Sequence, residues 1–230
     1  MDPLSSFATD HYQRHNSRRL EHLATLRLDL AGRKVLEVGA GIGDHTSFFL
    51  DRGCRVTALE GRPENVEILK SRFPSVETLW LDLDDDETSD LGWFEIVYAY
   101  GLLYHLAEPR RAVARMSAWC SDLLLLETCV SFGVEAAINP IAEDATDPSQ
   151  SVRGLGCRPT RRWVIEVLRS QFAHVYVPMT QPWHEEFPLD WSQPPLSSGR
   201  LTRAIFIASR RPIANPLLVK ELPDRQTQAG

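Results

Sequence analysis

The chain has 230 residues, 43% of them hydrophobic and 24% charged, and a formal net charge of −6. This is enough apolar sequence for one α/β domain with a substantial core, and the acidic balance argues against nucleic acid or an anionic membrane as partner. No segment approaches the ~20 consecutive apolar residues of a membrane-spanning helix, Met1-Asp2-Pro3 lacks a signal-peptide pattern, and Cys54, Cys120, Cys129 and Cys157 form no C-x-x-C pair, so they read as reduced thiols of a cytoplasmic protein.

Residues 8–31 begin polar and turn helical, with Leu20, Leu23, Leu26 and Leu30 at three- and four-residue steps and Gly32 as a stop. Tyr12, Arg14, Asn16 and Arg19 stand at the front of this helix. Most such residues form a solvated face, but Tyr12 or Asn16 could close over a ligand held by the next stretch. His11 and His15 could share a helix face, yet no third ligand stands nearby in sequence, so no metal site is expected. Val35 to Val38 reads as a buried strand, followed by Gly39, Gly41 and Gly43 on alternate positions. Glycines there permit a tight turn and a close approach to the backbone, and a helix N-terminus after them makes a nucleotide cradle. A dinucleotide fingerprint wants G-x-G-x-x-G, whereas here Asp44 occupies the place of the last glycine.

A helix over 46–50 and a second strand over 55–60 follow, ending in Glu60, 21 residues after Gly39. A carboxylate at that distance can accept both ribose hydroxyls. Pro63 opens a helix to about Arg72. A third strand is expected over 76–83, with Asp82 and Leu83 at its end and Asp84 as a rival acid; the rest of the acidic run to Glu87 reads as a solvated loop. A fourth strand over 94–100 leads into Gly101-Leu102-Leu103-Tyr104-His105, and a fifth over 122–128 carries the continuous apolar run Leu123–Leu126, as when both faces are covered, with Glu127 near its end. Residues 129–157, rich in turn signals, break the rhythm and read as a lid or a partly ordered loop. A helix from Pro159 to about Gln171, a strand over 174–179, a long loop over 180–202 and a strand over 203–209 complete the pattern; the tail from 212 shows no periodicity.

Alternating strands and helices predict a doubly wound, mostly parallel sheet. A last strand entered without a crossover helix must run antiparallel. Glu37-x-Gly39-x-Gly41-x-Gly43, Glu60, Asp82 and the Gly101–His105 loop, in register over roughly 34–209, resemble the class I S-adenosylmethionine-dependent methyltransferases. The resemblance implies a single Rossmann-like domain with a seven-stranded sheet. It implies S-adenosylmethionine as cofactor, S-adenosylhomocysteine as product, and cofactor contacts from Glu37, Gly39, Gly41, Gly43, Glu60, Asp82, Leu83 and Tyr100, with Tyr12 and Asn16 as the closing groups. Asp82 would reach the adenine amino group.

His105 is the candidate general base, since its ordinary pKa of ~6.5 suits proton removal at neutral pH; the alternative is a packing or backbone role. Tyr104 is the next candidate, as an orienting hydroxyl or aromatic wall. Trp183, His184 and Arg158 are candidate substrate contacts, Arg158 for an anionic group alongside Arg161 and Arg162. The competing reading of Trp183, Phe187 and Trp191 is that they pin a long loop. The expected reaction is methyl transfer to an oxygen or nitrogen of a small molecule, and a homodimer is compatible with it. A transfer RNA wobble-uridine methyltransferase is a second reading, against which stands the acidic balance. A nicotinamide-dependent oxidoreductase is opposed by Asp44, and a cofactor-binding subunit without activity stays open.

Overall fold

A computed structural model describes residues 2–85, 90–194 and 201–229. Its centre is an eight-stranded sheet. In chain order the strands are β1 (Lys34–Val38), β2 (Arg55–Glu60), β3 (Glu77–Trp80), β4 (Phe94–Tyr100), β5 (Cys120–Cys129), β8 (His174–Pro178), β10 (Arg203–Ser209) and β11 (Leu218–Val219). The two small pairs are β6 (Pro140–Ala142) with β7 (Leu155–Cys157), antiparallel, and β9 (Thr180–Gln181) with β12 (Thr227–Gln228), parallel. The sheet order is β11-β8-β10-β5-β4-β1-β2-β3. From β3 to β5 the neighbours are parallel, and β10 runs antiparallel to both β5 and β8. This is the class I methyltransferase arrangement with its reversed strand.

The expected seven strands become eight because Leu218 and Val219 pair with Pro178 and Val177. Two residues carry no readable period, which is why the tail looked featureless. The third strand is shorter than the expected 76–83. It is the sheet edge, bonded to β2 alone, and after the Leu81 N–H reaches the Glu60 carbonyl (3.0 Å) the chain turns.

Helices α1 (Pro3–Phe7), α2 (Asp10–Thr25), α3 (Thr46–Leu50), α4 (Pro63–Arg72), α5 (Pro109–Trp119) and α6 (Arg161–Arg169), with a 3-10 turn at Leu103–His105, cover the sheet. Alternation within β5 sorts the two sides. Leu124 and Leu126 pack with Ala112 and Met116 of α5 and Val164 and Leu168 of α6. Leu123 and Leu125 pack with Leu23 of α2, Phe49 of α3 and Leu69 of α4. Both sheet faces are therefore buried, as the continuous apolar run in β5 requires. Helix starts follow local chemistry. The Thr9 hydroxyl takes the Tyr12 N–H at 3.3 Å, and Pro63 and Pro109 occupy first turns where a missing N–H costs nothing. Asp84 accepts the N–H groups of Ala107 (2.8 Å) and Glu108 (3.0 Å), fixing the entry to α5. Among the described residues no helix is long and apolar enough to cross a membrane.

Candidate active site

The parallel strands end on a cavity of about 480 Å³. One end is built largely from backbone. Gly39 and Gly43 have φ of 71° and 87°, conformations that side chains avoid. A Cβ at Gly39 would stand 2.9 Å from Leu102, and one at Gly43 2.7 Å from Phe73. Asp44 binds Arg72 at 2.7 Å, so the residue that departs from the dinucleotide fingerprint ties the turn to α4.

Glu60 is 7% exposed and draws the cradle together: one carboxylate oxygen takes the Gly41 N–H at 2.8 Å, the other takes the Arg62 N–H at 3.0 Å. Burial raises its pKa, and these N–H donors and Asn65 pull it back. Glu37, 2% exposed, accepts the Thr46 hydroxyl at 2.7 Å, and burial pushes its carboxyl up to about 7. Asp82 and Leu83 line the cavity beside Glu60. Asp84 is consumed by its contacts at the start of α5, whereas Asp82 takes the Asp84 N–H at 2.9 Å and Arg153 at 2.8 Å and keeps acceptor positions for a ligand at the end of β3.

The cradle fits a nucleoside-bearing cofactor. Two of its glycines have no room for a side chain, a buried carboxylate lies beside them, and the Tyr100 hydroxyl, on the same cavity wall, is buried without a hydrogen-bond partner.

The other end is built from side chains. His105 Nδ1 lies 2.5 Å from Glu143 Oε2, and Arg158 donates to Glu143 Oε1 at 3.1 Å. Burial lowers the His105 pKa, and Glu143 opposes that shift. Tyr104 is buried, its hydroxyl pKa raised by desolvation, and it accepts from Arg203 at 3.2 Å. Arg203 also reaches Glu127 (3.2 Å) and Glu186 (2.5 Å), while Arg19 binds Glu127 at 2.8 Å. Two buried guanidinium groups thus face two buried carboxylates. His45 is held by the Tyr98 hydroxyl at 2.8 Å, and burial keeps it neutral.

Residues 143–158 form a strap over the cavity. Arg62 donates to the carbonyls of Ala145 (3.1 Å), Gln150 (3.2 Å) and Ser151 (3.0 Å), and Asn65 to that of Pro148 (3.2 Å). The stretch expected as a lid or partly ordered loop is thus anchored to α4 and carries the β6–β7 pair.

Of the residues singled out in the sequence, Glu37, Gly39, Gly41, Glu60, Asp82, Leu83, Tyr100, Tyr12, Tyr104, His105 and Arg158 share this one cavity. Gly43 shapes the turn behind it. Asn16 is a correction in position: its side-chain oxygen holds Arg19 from behind the wall. Trp183 is 56% exposed and donates to the Ala229 carbonyl, away from the cavity, while Phe187 and Trp191 are buried and pin the loop. Arg161 lies over the Trp191 ring and Arg162 pairs with Glu166, so of the three arginines Arg158 alone reaches the site. Glu143, Arg203 and Glu127 were missed. Arg203 and Glu127 read as members of apolar strands, and Glu143 as one acid in an unpatterned loop.

Residues 10–176 match the family described as Methyltransferase domain. A curated relative, the ubiquinone biosynthesis O-methyltransferase of Xanthomonas euvesicatoria pv. vesicatoria (strain 85-10), is 35% identical over 115 residues, 47% of this chain and 45% of that protein. The chain thus spans about half the length of this relative in the match. The N-terminal domain of EvdMO1, solved in the presence of SAH and D-fucose, superposes with a TM-score of 0.64 at 20% identity, over 88% of this chain and 85% of that one. SAM-bound CalS10, an amino pentose methyltransferase from Micromonospora echinaspora, gives 0.54 at 19% identity over 90% and 94%. The fold and the glycine–carboxylate cradle are those of a class I S-adenosylmethionine-dependent methyltransferase. The chain belongs to the methyltransferase-domain family.

Proposed function

We propose that the chain moves a methyl group from S-adenosylmethionine to an oxygen or nitrogen of a small-molecule acceptor, with His105 as general base. The observation that carries this reading is the single cavity joining the Gly39–Glu60 cradle to the His105–Glu143 pair. The sulfonium of the cofactor supplies an activated methyl group. The cradle, with Glu60 and Asp82 as its polar anchors, fixes where that group points. Orientation of this kind supplies on the order of 7–11 kcal/mol of rate enhancement.

His105 carries out the proton chemistry. Its Nδ1 faces Glu143, which leaves Nε2 to take the proton of the acceptor as the new bond to carbon forms. Burial lowers its pKa, so the ring is in the neutral, accepting state at pH 7. Glu143 fixes tautomer and ring orientation, and Arg158 holds Glu143 in place. The strap excludes water, and the small volume under it suits a compact acceptor better than a transfer RNA. D-fucose, present with the N-terminal domain of EvdMO1, and the amino pentose of CalS10 are acceptor-sized molecules of this kind.

The test uses isotopically labelled cofactor with a panel of sugars, phenols and amines, comparing the wild-type chain with His105→Ala and Glu143→Gln. A base worth ~10²–10⁴ in rate requires His105→Ala to lower kcat by at least ~100-fold with cofactor affinity intact. Glu143→Gln removes the carboxylate that opposes the burial shift, so the acidic limb of its pH profile should move to lower pH while its plateau drops. Parallel loss of turnover and cofactor binding would make His105 a packing residue. Tight cofactor binding without turnover on any acceptor would favour a non-catalytic subunit.

A further inference from the structure

On the α2 side of the cavity, three side chains stand in an arrangement that methyl transfer does not require. His15 is 4% exposed, His184 5% and Glu186 7%. His15 comes from α2, and the other two come from the loop between β9 and β10, some 170 positions later in the chain. Among the described residues, Nε2 of His15 and Nε2 of His184 are both buried without a hydrogen-bond partner. Groups buried to this degree are nearly always paired, and an exception calls for an ion, a water or a function. His15 Nε2 lies 3.9 Å from Glu186 Oε2, too far for a hydrogen bond.

Donor atoms of His15, His184 and Glu186 all lie within 4.8 Å of one another, and His11, His184 and Glu185 form a second, overlapping set. With bonds of ~2.0–2.2 Å, two ligands of one ion sit roughly 3.4–4.2 Å apart. The His15–Glu186 spacing falls in that range, and the cluster closes on an ion with small side-chain shifts. The pair His11 and His15 was discounted for want of a nearby third ligand; the fold brings that ligand from the far end of the sequence.

We propose that His15, His184 and Glu186 bind one divalent transition-metal cation on the acceptor wall of the cavity. Two imidazoles and a carboxylate suit zinc, cobalt, nickel or ferrous iron rather than magnesium or calcium. His11, 3.2 Å from Glu186 Oε1, is the outer group that orients the carboxylate ligand. The Glu186 N–H contact to His184 Nδ1, at 3.3 Å, is long and easily given up when the ring turns to the ion. The charged groups around the cluster balance: Arg14 pairs with Glu185, Arg203 with Glu186, and Arg19 with Glu127. Among the described residues these pairs cancel, so an ion brings net charge to the cluster, and its open positions favour an oxygen ligand. His15 and Glu186 line the cavity, so that oxygen belongs to water or to an acceptor hydroxyl held beside Tyr104.

Titration of the metal-stripped full chain with Co²⁺ or Zn²⁺, followed by calorimetry and by the visible spectrum of Co²⁺, tests this without any activity assay. One equivalent should bind, with a low-symmetry Co²⁺ spectrum unlike that of the hexa-aqua ion. His15→Gln and His184→Gln should each weaken binding at least ~10-fold, whereas His174→Gln, at the other end of β8, should not. Failure of the wild-type chain to bind, an aqua-like spectrum, or unaltered affinity in both folded histidine variants would overturn the site. If the variants do not fold, the wild-type Co²⁺ spectrum decides. Because the readout is metal binding, failure here leaves the methyl-transfer reading standing, and loss of that reading leaves the site standing.

Discussion

The two ends of the cavity are made differently. The cradle end uses main-chain N–H groups, glycines and one carboxylate per strand end, supplied by 46 consecutive positions from Glu37 to Asp82. The acceptor end uses side chains from α2, β5, the strap and β10, and their charges satisfy one another. Backbone geometry is fixed once the strands pair, so the cradle is rigid before anything binds. The acceptor end holds its shape only while Arg19, Arg203, Glu127 and Glu186 remain paired. Substitutions should therefore damage local binding at the first end and folding at the second.

The largest effect should come from the second. Glu127 is fully buried between Arg19 and Arg203. Its removal leaves two guanidinium groups without their shared partner, and breaking buried pairs in this way costs about 3–5 kcal/mol. Glu127→Ala should lower the urea midpoint by that equivalent. A loss below about 1 kcal/mol would show that the acceptor end does not depend on the charge network.

Glu37 should make stability pH-dependent from the cradle end. Its folded pKa, about 7, stands above its ordinary 4.5. The stabilising contribution of the protonated form is thus fully present below pH 4.5 and lost as pH rises through about 7. Relative to Glu37→Gln, the cofactor-free wild type should lose on the order of 2–3 kcal/mol across that window. Superimposable pH curves for the two proteins would mean that Glu37 ionises without cost.

Glu60→Ala should weaken cofactor binding at least ~10-fold, since a buried charge-assisted contact is lost, with a smaller change in stability than Glu127→Ala. An unchanged dissociation constant would take Glu60 out of the site.

This contrast also explains what could be read in advance. β2, β4 and β10 form with their expected limits because each is a mostly apolar run, nearly all of it buried, that ends where the chain leaves the sheet. Gly39, Gly41 and Glu60 were legible because the cradle needs fixed residue types at fixed spacing. His105 was legible through its place after β4. Glu143 was not: it meets His105 across 38 positions, and nothing in its neighbourhood distinguishes it from Asp144 or Asp147. Arg203 was hidden because a charge at the start of an apolar strand looks like a strand end facing solvent. Trp183 misled because aromatic content marks a packed loop as readily as a substrate wall, and here its neighbours Phe187 and Trp191 do the packing.

The smallest effect should come from where the two ends meet. Arg153, on the strap, donates to Asp82 at 2.8 Å and pairs with Asp85. Its side chain is 42% exposed, so water and salt screen both contacts. The buried ties of the strap are Arg62 and Asn65, whose donors reach four strap carbonyls from below. Asp82 has acceptor positions to spare, since a carboxylate can take about four hydrogen bonds, and Arg153 need not leave for a ligand amino group to bind. Arg153→Ala should therefore change cofactor affinity by less than about threefold, and the difference should shrink further in high salt. Arg62→Ala, which strips the buried tie, should cost more and show little salt dependence. A tenfold or larger, salt-insensitive loss in Arg153→Ala would reverse this assignment, placing the grip of the strap on its exposed side and making cofactor and acceptor ends one coupled unit.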